Sequence, residues 1–107
     1  MSVEEATIEE LAAFVGACAD TACKQGIGAL RGQIKASADQ LIAGAIGEVV
    51  EGADPSYLRK KLETRADKMP QEDARKVRMF AEAVEALQLG RRPEDIRTIC
   101  ETWIKGA

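Results

Sequence analysis

Prolines stand at only three positions of this 107-residue chain: 55, 70 and 93. Two of them close the same phrase of a glycine, two residues and a proline, Gly52-Ala-Asp-Pro55 and Gly90-Arg-Arg-Pro93. Proline lacks a backbone N–H and collides with the turn before it, so helices do not run through it, although it sits well in their first turn. A glycine just past a helical run supplies the left-handed residue that closes it. Each phrase therefore reads as helix stop, short gap, helix start. With Pro70, they divide the second half of the chain into helical runs beginning near 55, 70 and 93.

The likeness extends beyond the punctuation. "EVVEGADPSYLRKKLET" (48–64) aligns with "EALQLGRRPEDIRTICET" (85–102), matching Leu58 with Ile96, Arg59 with Arg97, Glu63 with Glu101 and Thr64 with Thr102. The apolar residue faces inward, and Arg and Glu four apart can pair on the outside. Two origins fit the match: duplication of an αα-hairpin, or independent use of one good capping sequence.

Apolar residues elsewhere recur at the helical period. Thr7 and Glu10 form a capping box ahead of Ile8, Leu11, Ala12, Val15, Cys18, Ala19 and Ala22, with Gly26 as the stop. "IGALRGQIKA" (27–36) reads as a short helix weakened by Gly28 and Gly32. "SADQ" (37–40) is a second capping-box match, with Ser37 at the cap. The run that follows, Leu41, Ile42, Ala45, Ile46, Val49 and Val50, is apolar enough to predict the most buried helix, with Gly44 and Gly47 admitting a close neighbour. Leu58, Leu62, Ala66 and Met69 give the stripe of the next helix. Ala74, Val77, Ala81, Val84 and Leu87 or Gln88, with Phe80 beside them, give that of the fifth, and Ile96, Ile99, Cys100, Trp103 and Ile104 that of the last. No stretch reads as a strand. The expected fold is all-α: one domain over 1–107, a compact bundle of five or six short helices.

Composition agrees. Hydrophobic residues make up 46% of the chain and charged residues 31%, in proportions that suit a packed domain with a solvated surface. The net charge of −3 argues against a dedicated nucleic-acid binder. No apolar run approaches the ~20 residues that span a bilayer, and the acidic start "MSVEEATIEE" is unlike a secretory signal. The reading is a cytoplasmic protein.

The residues that usually carry chemistry are sparse. Histidine is absent, and Cys18, Cys23 and Cys100 have no metal-ligand spacing, so no metal site or cofactor is expected. No base stands beside a thiol nucleophile, and "GIGALRG" lacks the Lys-Ser/Thr of a phosphate loop. The expectation is a non-enzymatic protein. Charge, by contrast, is uneven: residues 59–78 hold eight basic side chains against four acidic ones. Such a surplus is either a solvated face of i,i+4 pairs or a docking face for an acidic protein partner.

"KQGIGAL" followed by "LIAGAIGEVVEGADPSYLRKKLET" resembles the cytoplasmic region of MotA-type flagellar motor stator subunits, the MotA/TolQ/ExbB family. Gly26, Ala29 and Leu30 fit one of its motifs. Val49, Val50, Gly52, Asp54, Pro55, Leu58, Arg59, Leu62 and Glu63 fit another. The resemblance covers about residues 14–66. It implies a helical domain that meets a rotor-side protein through charged residues, without the ion-carrying transmembrane helices. Arg31 stands where the family usually has Glu, and the basic residues before the glycine reduce to Lys24. Taken together, the expected partner-binding residues are Lys24, Arg31, Arg59, Lys60, Lys61 and Arg65. Two alternatives stand beside this one: a small structural or regulatory subunit that forms a homo-oligomer through the last helix around Trp103, and a helical bundle that binds a ligand.

Overall fold

A computed structural model of the chain describes residues 2–36 and 39–106. Among these residues six α-helices follow in order: α1 (Ile8–Gln25), α2 (Arg31–Ala36), α3 (Gln40–Val50), α4 (Pro55–Ala66), α5 (Gln71–Gln88) and α6 (Pro93–Lys105). A 3-10 turn, Ile27–Leu30, joins α1 to α2, and no strand occurs among the described residues. The all-α bundle expected from the periodicity is the fold found. Its radius of gyration of 12.3 Å is close to the ~13 Å of a folded 100-residue chain.

The predicted boundaries follow from satisfied backbone groups. Thr7 Oγ1 accepts from the Glu10 N–H at 3.0 Å, and Glu10 Oε1 accepts from the Thr7 N–H at 2.8 Å, so the capping box of α1 is complete. The stretch 27–36 is helical in two pieces rather than one, a 3-10 turn and then α2. Its glycines weaken α-helix, and a tight 3-10 turn is a common connector. At α3 the cap is Asp39, whose Oδ1 accepts from the N–H groups of Leu41 at 2.8 Å and Ile42 at 3.1 Å. Ser37, the cap expected from the sequence, lies outside the described residues.

Both glycine–proline joints close in the same way. Gly52 (φ +85°) and Gly90 (φ +80°) adopt left-handed backbone. The Ala53 N–H reaches the Glu48 carbonyl at 2.9 Å and the Gly52 N–H that of Val49 at 3.1 Å. Arg91 to Ala86 at 3.0 Å and Gly90 to Leu87 at 3.1 Å repeat the pattern. This is the double bond of a Schellman closure. Pro55 and Pro93 then start the next helices.

The centre of the bundle is α5, which packs against α4, α6 and α1 and buries ten residues, among them Met79 and Phe80 with no exposed surface. The expectation that α3 is the most buried helix is therefore corrected. α3 turns Ile42, Ala45, Ile46 and Val49 into the core, but a side chain added at Gly44 would meet nothing within 4 Å. High hydrophobicity made α3 look central. What makes α5 central is a set of alanines, 74, 81, 83 and 86, that lets neighbours approach on several sides.

Polar ties fix the outer helices. Arg97 on α6 grips Asp20 on α1 with two bonds, Nη1–Oδ1 at 3.0 Å and Nη2–Oδ2 at 2.6 Å. Gly16 leaves room for it, since a Cβ there would lie 3.2 Å from Arg97 Nε. Arg75 donates to the carbonyls of Trp103 and Ile104, capping the negative end of α6. Among the described residues no helix is long and apolar enough to cross a membrane.

Candidate functional site

α3 and α4 are joined by a tight turn, yet they are the least packed of the sequence-adjacent elements. The gap between them is a groove in two stretches. One, about 420 Å3, is lined by Val3, Asp39, Leu41, Arg65, Lys68 and Met69 among others. The other, about 150 Å3, is lined by Leu41, Gly44, Ala45, Lys61, Leu62 and Arg65 among others. They share Gln40, Leu41 and Arg65, so the two stretches adjoin. Leu41, Ala45, Leu62 and Met69 give the groove an apolar floor. Lys61, Arg65 and Lys68, spaced four and three residues apart, give it a basic edge, and four carboxylates line it as well, Glu4, Asp39, Glu48 and Asp73, of which Glu48 pairs with Lys61 and Asp73 with Lys76.

The structure sorts the basic surplus of residues 59–78 by what each side chain already holds. Arg59 donates to Glu85 Oε1 at 2.7 Å and lies 3.4 Å from Glu63, and the Glu85 bond is the main reason its guanidinium is held above its ordinary pKa. Lys61 meets Glu48 at 3.0 Å across the narrow end of the groove. Arg75 is spent on the end of α6, and Arg78 pairs with Asp67 at 2.6 Å. Lys76 is buried. Lys60, Arg65 and Lys68 are exposed and form no side-chain hydrogen bond or ion pair among the described residues. Of these three, Arg65 and Lys68 line the groove, while Lys60 lines neither stretch.

The six expected docking residues thus fall into two groups. Arg59, Lys60, Lys61 and Arg65 lie together on α4. Lys24, in the last turn of α1, and Arg31, at the start of α2, are both exposed and line neither stretch of the groove. A separate cleft of about 320 Å3, where the ends of α1 and α5 meet the start of α6, is lined by Ala22, Cys23, Ile27, Leu87, Arg91, Arg92 and Ile96 among others. Trp103, the expected oligomer contact, is half-buried and donates its Nε1–H to Glu82 Oε1 at 2.9 Å.

Two of the three thiols are chemically quiet. Burial pushes Cys18 up to about 12, and burial with a contribution from Glu82 pushes Cys100 up to about 11; Cys23 is exposed. A thiol held protonated is neither a good nucleophile nor a metal ligand.

Three contributors were not singled out from the sequence: Lys68, Asp39 and Lys76. Lys68 was one of the basic cluster. In the sequence Asp39 stands inside a capping-box pattern whose cap would be Ser37. The signal for Lys76 was its register, since 76, 80, 83 and 87 share one face with Phe80, Ala83 and Leu87, all buried. No protein-family model, curated protein or solved structure matches the chain.

Proposed function

We propose that this chain is a protein–protein interaction module that takes an acidic, amphipathic segment of a partner into the α3–α4 groove. The observation that carries the reading is Arg65: exposed, holding no carboxylate of its own among the described residues, and bordering both stretches of an apolar-floored groove. A partner helix or turn with apolar anchors would cover Leu41, Leu62 and Met69, while its carboxylates meet Arg65 and Lys68. Charge of this kind acts mainly on the rate of encounter and on the choice of partner.

The likeness to stator cytoplasmic segments is a narrower form of the same reading, with a rotor-side protein as the partner. It would place more of the contact on Lys24 and Arg31, which line neither stretch of the groove. A photo-crosslinking residue at Gly44 tests the groove directly. In native cells it should join one defined partner, and Arg65→Glu with Lys68→Glu should cut association with that purified partner by about tenfold and flatten its salt dependence. Unchanged association after that reversal would remove the groove. The same loss from Lys24→Glu with Arg31→Glu instead would move the contact to the stator-like flank.

A further inference from the structure

The cleft of about 320 Å3 lies where three helices end or begin. α1 brings Ala22 to it, the end of α5 brings Leu87, the 3-10 turn adds Ile27 and the first turn of α6 adds Ile96. Gly26 (φ +90°) and Gly90 (φ +80°), the stops of α1 and α5, line it with left-handed backbone. A side chain added at either would meet nothing within 4 Å. The cleft is thus a gap left by two chain reversals, with an apolar wall supplied by the helices on either side.

Its charge is of one sign. Arg91 and Arg92 line it, and no carboxylate among the described residues does, whereas four line the α3–α4 groove. Arg91 is exposed and forms no side-chain hydrogen bond or ion pair among the described residues. The Arg92 side chain is 72% exposed and lies 3.7 Å from Asp95, a loose surface pair that contributes little. The carbonyl ends of α1 and α5 do not occupy these arginines, because backbone bonds close them: Gly26 N–H to the Ala22 carbonyl at 2.9 Å, and Gly90 and Arg91 N–H to those of Leu87 and Ala86. α6 begins at the cleft, and its positive end receives no side-chain cap. Glu94 and Asp95 stand in that first turn, and neither lines the cleft.

We propose that this cleft binds a small amphipathic carboxylate: one short hydrocarbon chain against Ala22, Ile27, Leu87 and Ile96, with its acid group held by Arg91 and Arg92. The volume of about 320 Å3 is at the small end of ligand clefts and suits a single chain. No aromatic side chain among the described residues lines it, so a nucleobase or other flat ring finds no stacking face. Guanidinium meets carboxylate with paired hydrogen bonds, which orients the head, and each buried methylene adds to the affinity. The cleft shares no lining residue with the α3–α4 groove, so this site is independent of the docking reading.

The test uses the full chain, with Cys23 as its reporter, since that exposed thiol lines the cleft while Cys18 and Cys100 are buried. Iodoacetamide labelling of Cys23 is followed by mass spectrometry, with sodium octanoate as the ligand probe. At several times its dissociation constant, octanoate should slow labelling about fivefold. Octanol, with the same chain length and no charge, should bind about tenfold more weakly. Acetate, with the charge and no chain, should give no protection. Arg91→Gln with Arg92→Gln, measured against its own ligand-free rate, should reduce octanoate to the level of octanol. Both side chains are exposed, so the helical circular dichroism signal should persist. Unslowed labelling, equal protection by octanoate and octanol, protection by acetate, or octanoate binding that survives the double substitution overturns the proposal.

Discussion

The two glycine–proline joints share their local geometry and differ in what they produce. At Gly90 the following helix folds back firmly, and α6 packs along both α5 and α1. At Gly52, with the same Schellman bonds and nearly the same φ, α3 and α4 splay and leave a groove. The matched arginines behave alike: Arg59 reaches Glu85 on α5 and Arg97 reaches Asp20 on α1, each latching its helix to a neighbour. What differs is the preceding helix. α5 offers small and large apolar residues on several faces. α3 commits its apolar residues to the core and shows Gly44 and the edge of Leu41 to α4. A turn sets where a chain reverses; the surfaces on either side set whether the gap closes.

Core truncation should show the contrast most strongly. Ile96→Ala, at a fully buried position beyond the closed joint, should cost about 2–5 kcal/mol, and Leu41→Ala, on the open groove, about 1 kcal/mol. Urea midpoints compare them, and equal losses would mean that the groove is packed after all. The glycines should behave as equals. Gly52→Ala and Gly90→Ala each force a side chain into left-handed backbone, at about 1–2 kcal/mol apiece. Unequal costs would show that packing reaches into the turns themselves.

The caps should separate the joints again, by less. Asp54 accepts from the Tyr57 N–H at 3.2 Å, whereas Arg92 gives no side-chain cap to its helix. Asp54→Ala should therefore cost about 1 kcal/mol and Arg92→Ala close to none, measured by thermal unfolding. The smallest effect belongs to the arginine latch on α1. Arg97, chiefly through its hydrogen bonds, holds the Asp20 carboxyl below its ordinary 3.8. A group depressed in the folded state adds stability above its unfolded pKa and loses it as the pH falls further. Arg97→Ala should thus cost a little stability across the neutral range, where the exposed pair contributes in full, and nothing well below pH 3.8, so that stability declines less steeply on entering the acid range.

The order and ends of the helices are written into short stretches of residues. Thr7 with Glu10, Gly26, Gly52 with Pro55, and Gly90 with Pro93 each satisfy or remove backbone groups within a few residues, so their meaning is local and legible. The inward stripes were legible for the same reason, because helical period converts spacing into direction. Which basic residues hold nothing emerges only from the folded arrangement, since Glu85 lies 26 residues from Arg59 and the end of α6 lies 29 from Arg75. It alone placed Lys76 against the Val3 carbonyl, 73 residues away, and left α3 and α4 apart. Pairing and gaps of that kind depend on which helices become neighbours, and that is settled by the packing of all six together.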